Sequence, residues 1–166
     1  TLLDHAHDRS DLDAAALELI TLLHQPIVNL GYLTDWEPQV RFAIAVCIRS
    51  GRTVQQAEFL SRLSNILYWT GRFDEAQTTG DTALITARST DDPKTLAVCA
   101  TTLMGALITR GEIKNAESIW QMTKIDPLVQ GATGATQAWV MAHLSIYGAM
   151  LRRALGGADA LIDAAT

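Results

Sequence analysis

Apolar residues recur along this chain at intervals of three and four. Leu60, Leu63 and Leu67, closed by Thr70, form one such series, and Leu96, Cys99, Leu103 and Leu107 form another. That spacing turns one side of an α-helix toward a core and leaves the other side to solvent. No segment alternates apolar and polar residues for long enough to make a strand. Residues 40–48 come nearest, but their length and the start signal upstream favour helix. The pattern predicts an all-α chain without β-sheet, with helices at approximately 11–30, 35–50, 53–70, 73–89, 93–110, 112–125, 134–155 and 158–165.

Glycine sets the punctuation. Gly31, Gly51, Gly71, Gly111 and Gly131 fall on a lattice of twenty residues, and the one vacant point holds Asp91, within Ser-Thr-Asp-Asp-Pro. Glycine ends helices because it enters the left-handed conformation without a Cβ clash. One beat is therefore a helix plus a turn, and two beats make a hairpin of forty residues. Start signals support the same division. Thr34-Asp-Trp-Glu37 and Thr53-Val-Gln-Gln56 match a capping box. Asp92-Pro93 combines an N-cap residue with proline at the first helical position. About four antiparallel hairpins follow, at about 11–50, 53–89, 93–125 and 134–165, after an irregular or disordered end over 1–10.

Two turns carry a resemblance. Gly71-Arg-Phe73-Asp-Glu-Ala76 and Gly111-Glu-Ile113-Lys-Asn-Ala116 share glycine, one residue, a large apolar residue, two polar residues and alanine. The motif resembles the tetratricopeptide (TPR) turn between helices A and B. In that family glycine permits the turn, the large residue plugs the hairpin base, and alanine lies where the helices approach most closely. Leu60, Leu63 and Leu67, then Leu103 and Leu107, take the large apolar positions of helix A. The small position after the first leucine is Ser64 in one repeat but Met104 in the next. The period is forty rather than the family's commonest length of about 34. Gly31-Tyr-Leu-Thr-Asp-Trp36 is similar to an extended form of the turn, and Gly156-Gly157-Ala-Asp-Ala160 to a displaced one. The resemblance spans residues 11–165 and is specific over 57–124. It implies a TPR-like right-handed superhelix. Repeats of this length resemble the helical arrays of large bacterial ATPase-linked transcriptional regulators of the maltose-activator type, which sense an inducer or partner.

In such superhelices the helix A face opposite the packing stripe lines a concave groove. The resemblance implies binding residues on three helices: Glu58, Arg62, Asn65 and Trp69; Thr101, Gly105 and Thr109; and Trp139, His143 and Tyr147. Rows of mixed polar and aromatic side chains suit peptide grooves.

Composition narrows the chemistry. Hydrophobic residues make up 48% of the 166 and charged residues 19%, which describes a folded domain. The net charge of −5, with arginines scattered except for Arg152-Arg153, argues against direct contact with nucleic acid. No apolar run reaches the ~18 residues of a membrane span. Cys47 and Cys99 lie among apolar neighbours, so buried free thiols are expected, with a disulfide as the alternative, and the expected compartment is cytoplasmic. Asp4-His5-Ala-His7-Asp8 has metal-binding residue types but no distant partner ligand, so a solvated terminus is expected there. His24, before Gln25-Pro26, reads as a structural histidine and His143 as a packing one. There is no phosphate-binding GxxxxGK[ST] loop, no CxxC pair and no Glu-x-x-His. Neither enzyme nor cofactor is expected. The chain begins without methionine and ends in a helical pattern, as an excerpt of a longer protein would. The expected function is a protein- or ligand-binding module of such a regulator, engaging a peptide, another domain of its parent or a small inducer. The alternative is a structural array that self-associates, with homodimers as its product.

Overall fold

The computed structural model describes the backbone of residues 2–165 and the side chains of residues 11–156. The described residues form eight helices: α1 (Leu2–Asn29), α2 (Leu33–Ser50), α3 (Thr53–Trp69), α4 (Phe73–Arg88), α5 (Pro93–Arg110), α6 (Ile113–Lys124), α7 (Pro127–Gln130) and α8 (Gly134–Ala165). Neighbours in sequence pack as hairpins, α1 on α2, α3 on α4 and α5 on α6, while α3 also meets α5 and α5 meets α8. The chain is thus all-helical, with no strand among the described residues.

The glycine lattice produces one turn several times. Gly31, Gly51, Gly71 and Gly111 have φ of 83°, 66°, 81° and 82°. After each glycine, the next N–H reaches back to a carbonyl five residues earlier: Tyr32 to Ile27 (3.3 Å), Arg52 to Cys47 (3.0 Å), Arg72 to Leu67 (2.9 Å) and Glu112 to Leu107 (2.9 Å). This closes the last helical turn and satisfies carbonyls that would otherwise lack a donor. The next helix starts two residues past the glycine, at Leu33, Thr53, Phe73 and Ile113.

That tightness overturns the expected capping boxes. The cap positions of α2 and α3 are Tyr32 and Arg52, neither with a side-chain cap bond, and Thr34 and Thr53 already lie within the first turn. Asp92 caps α5 as expected, its carboxylate accepting from the Lys94 and Thr95 amides. Position 91 keeps the left-handed turn without glycine, since Asp91 has φ 55°. Position 131 does not: Gly131 is right-handed at φ −78°, and the left-handed residue is Gly134 at φ 57°. Between α6 and α8 the sequence Asp126-Pro127 starts the short α7, with Asp126 accepting from the Leu128 amide, and this displaces the turn.

Both ends differ from expectation. The backbone of α1 is helical from Leu2, where residues 1–10 were expected to be irregular. At the other end α8 runs through Gly156-Gly157 to Ala165, so the expected helices 134–155 and 158–165 are one. A helix-interior glycine costs about 1 kcal/mol relative to alanine and stops a helix only when it turns left-handed. The side chains of Asp4, His5, His7 and Asp8, and of 157–160, lie outside the described residues.

The core is two clusters sharing α3. Phe59, Leu63, Ile66 and Leu67 join Leu17, Ile20, Trp36, Val40 and Val46 on one side. Ala57 and Leu60 join Leu84, Leu96, Leu103, Met104 and Leu144 on the other. Both turn-motif alanines, Ala76 and Ala116, are buried, and the Ser64 hydroxyl donates to the Ala76 carbonyl at 2.7 Å. Phe73 leans on Tyr68 with ring centroids 5.4 Å apart, and Arg110 covers its exposed side.

Candidate functional site

Helices α1, α3 and α5 contribute side chains to one cleft of about 280 Å³. Thr21, His24 and Gln25 come from α1, Glu58, Ser61, Arg62 and Asn65 from α3, and Val98 and Thr102 from α5. On each helix these positions are three or four residues apart, or adjacent, so they fall on one face. Every lining residue except Val98 is polar.

Two charged groups dominate. Arg62 stacks its guanidinium over the Phe59 ring, 5.0 Å from the centroid. Its Nη1 is closed off from solvent and has no hydrogen-bond acceptor among the described residues. Burial pulls its pKa down, and the neighbouring Glu58 only partly offsets this. Glu58, one helical turn earlier, has its carboxyl pKa raised by burial and by the charge of Asp92, against the opposing pull of Arg62. The Trp36 indole N–H donates to Nδ1 of His24 at 3.1 Å. Accepting there leaves the ring proton of neutral His24 on Nε2. Burial first, and then the charge of Arg62, lower the His24 pKa to about 4. A neutral imidazole, a carboxyl and a cation with one unpartnered N–H group therefore share one cleft.

The ten residues singled out in the sequence separate into groups. Glu58, Arg62 and Asn65 meet in the cleft. Thr101, Gly105, His143 and Tyr147 belong to the contact of α5 with α8. There the Thr101 hydroxyl pairs with Nε2 of His143 at 2.9 Å, and a Cβ on Gly105 would touch Tyr147 at 3.6 Å. His143 is stacked against Trp139, with centroids 4.8 Å apart, and the Lys94 ammonium lies 5.9 Å from the Trp139 ring centroid. Burial lowers the His143 pKa. Trp69 is 59% exposed and packs edge-on against Tyr68, away from the cleft. Thr109 is exposed and returns its hydroxyl to the Gly105 carbonyl.

Thr21, His24, Gln25, Ser61, Val98 and Thr102 complete the cleft without having been singled out as binding residues. The forty-residue period would have found most of them, since Thr21 and Ser61, Gln25 and Asn65, Glu58 and Val98, and Arg62 and Thr102 are each forty apart.

The thiols lie elsewhere. Cys47 and Cys99 are free and buried, in different core clusters. Burial pushes the Cys99 thiol up to about 12 and also raises Cys47, which keeps both protonated and poorly nucleophilic. Among the described residues no three His, Cys, Asp or Glu side chains converge as a metal site. No described helix is long and apolar enough to cross a membrane. Compared with family models, curated proteins and solved structures, the chain matches none.

Proposed function

We propose that this chain is a TPR-like repeat module that binds a ligand or partner across the face shared by α1, α3 and α5, as a sensing segment of a larger bacterial regulator. The supporting observation is the cleft itself, where three alternate helices present a polar pocket with an unpartnered Arg62. Folding alone disfavours such a group, because a desolvated N–H donor without an acceptor is costly and Glu58 only partly offsets the burial. A partner that neutralises it recovers that cost on binding. The module is not a catalyst in this reading. Its His24 is neutral and engaged by Trp36, and both thiols lie in the core.

The test is thermal denaturation of the chain with small polar metabolites, with peptides, and with the other domains of its parent protein. Stabilisation by any of these, lost when Asn65→Trp fills the cleft, supports the module. If all three classes leave the melting temperature unchanged and none is retained in pull-down, the proposal fails.

A specific observation favours the alternative of self-association. Leu12, Leu19 and Leu22 on α1 are 70%, 56% and 67% exposed. A second copy covering them would produce a dimer in sedimentation that Leu19→Glu disrupts. A monomer at high concentration would sink this alternative.

A further inference from the structure

We infer that the α1–α3–α5 cleft is a site for a small zwitterion bearing both a carboxylate and an amino group, of the size of a free α-amino acid. This rests on the cleft being the binding face of the module.

The arginines provide the first step. Arg41, Arg49, Arg72, Arg88 and Arg110 are all substantially exposed, and each forms an ion pair with a carboxylate. Arg62 is more buried than these and makes no ion pair or hydrogen bond with a described residue. Exposed pairs contribute little, whereas a buried unpaired cation is strongly unfavourable. Among the described residues Arg52 is also partly buried, but it reaches the Gln55 amide oxygen at 3.4 Å, whereas Arg62 holds its Nη1 without an acceptor in the wall of a cleft. A carboxylate is the natural complement of a guanidinium, able to accept two parallel N–H bonds.

Glu58 decides what else the ligand carries. It lines the same cleft one turn before Arg62, and the two charges attract each other without a hydrogen bond joining them. A simple anion would be drawn to Arg62 and repelled by Glu58. A simple cation would meet the reverse. Only a ligand with both charges satisfies both walls, its carboxylate on Arg62 and its ammonium on Glu58. The two residues are about 6 Å apart along the helix axis, room enough for neighbouring head groups. Asn65, Ser61 and Thr102 supply neutral hydrogen bonds, and His24 holds its proton on Nε2 because Trp36 occupies Nδ1.

Volume sets the size. About 280 Å³ lies just below the usual range of ligand pockets, about 300 to 1,000 Å³. A free amino acid is of that size.

The experiment is calorimetric titration of the full chain with glycine and each standard L-amino acid, beside acetate, succinate and putrescine. At least one amino acid is expected to bind saturably, with acetate and putrescine each weaker by tenfold or more. Arg62→Met, which keeps the apolar stem over Phe59, should abolish binding. Glu58→Gln should weaken the amino acid by about tenfold while improving succinate. Circular dichroism checks that both variants fold, and if Arg62→Met does not, Arg62→Gln replaces it. The indole signal of Trp36, coupled through His24, should shift in step with the wild-type titration. Succinate binding as tightly as every amino acid, or Glu58→Gln leaving amino-acid affinity unchanged, would overturn the zwitterion and keep the binding face. If only a peptide or parent domain binds, and Asn65→Trp blocks it, the zwitterion fails while the face stands. If nothing binds in a way Asn65→Trp affects, both fail.

Discussion

Asp91 holds the left-handed conformation that four glycines adopt at the equivalent lattice points. An aspartate tolerates this better than most L-residues but still meets a Cβ–carbonyl clash that glycine lacks. Asp91→Gly should therefore stabilise the chain by about 0.5–1 kcal/mol, read as a higher urea midpoint at unchanged m-value. A lower midpoint would mean the Asp91 side chain contributes more than its strain costs. His24 yields a second prediction. Its folded pKa of about 4 lies below the unfolded value of 6.5, so below pH 6.5 the unfolded chain binds the extra proton. Its contribution to stability is complete above pH 6.5 and declines as pH falls toward 4, by up to about 2–3 kcal/mol. Protonation would also turn Nδ1 from acceptor to donor and break the bond from Trp36. The groups facing the ring from α3 are Arg62 and Glu58, and Glu58, with its pKa raised, works in the opposite direction. Comparing His24→Asn with wild type separates the two. The variant should keep the Glu58 contribution and lose the decline between pH 6.5 and 4; parallel stability curves would remove His24 as the cause.

Helix by helix, the elements follow the period, and their deviations have local causes. The turn glycines were legible because a φ near 80° is a backbone requirement that few residues meet. The capping boxes misled because the tight turn starts each helix at or before the threonine expected to cap it. The Asp126-Pro127 start of α7 repeats the Asp92-Pro93 signal and was readable from the sequence, but the glycine beat concealed it. What a sequence cannot give is which helix pairs come into contact. Gly148 illustrates this: a Cβ there would lie 2.9 Å from Nε1 and 3.1 Å from two carbons of the Trp120 indole. The contact joins α6 to α8, elements separated by α7. Gly148→Ala should gain up to about 1 kcal/mol of helix propensity yet lose more by forcing the rigid ring aside, a net loss of about 1–2 kcal/mol. Denaturation followed by tryptophan fluorescence measures both the loss and the displaced indole. A stabilised variant would mean that α6 moves away freely.

In the whole molecule the forty-residue repeat governs the core more tightly than the motifs suggest. Ile20, Leu60, Ala100 and Val140 are all buried, as are His24, Ser64, Met104 and Leu144, each series stepping by forty. The all-helical fold and many of its buried positions were therefore legible in the sequence, since burial at these positions steps with the period. The cleft was legible only in part. Three of its four α3 residues, Glu58, Arg62 and Asn65, were found from the phase of one helix, but Arg62 occupies a position held by Leu22 and Thr102 in the flanking repeats. A periodic pattern shows what repeats, whereas a binding site depends on what does not. The same architecture predicts how stability is distributed. Helices with many packed neighbours open last, whereas those packed on one side open early. Helix α3 sits between both clusters, and α5 meets α3, α4, α6 and α8. Helix α1 packs chiefly on α2 and leaves Leu12, Leu19, Leu22 and Leu23 exposed. Native-state hydrogen exchange should give the slowest amides in α3 and α5 and markedly faster ones in α1. Phe59→Ala, 1% exposed at the centre of α3, should cost about 3–5 kcal/mol and speed exchange in α2, α3 and α4 together. Uniform exchange across all helices would instead describe a single cooperative unit, in which the cleft could not adjust locally to a ligand without loosening the entire array.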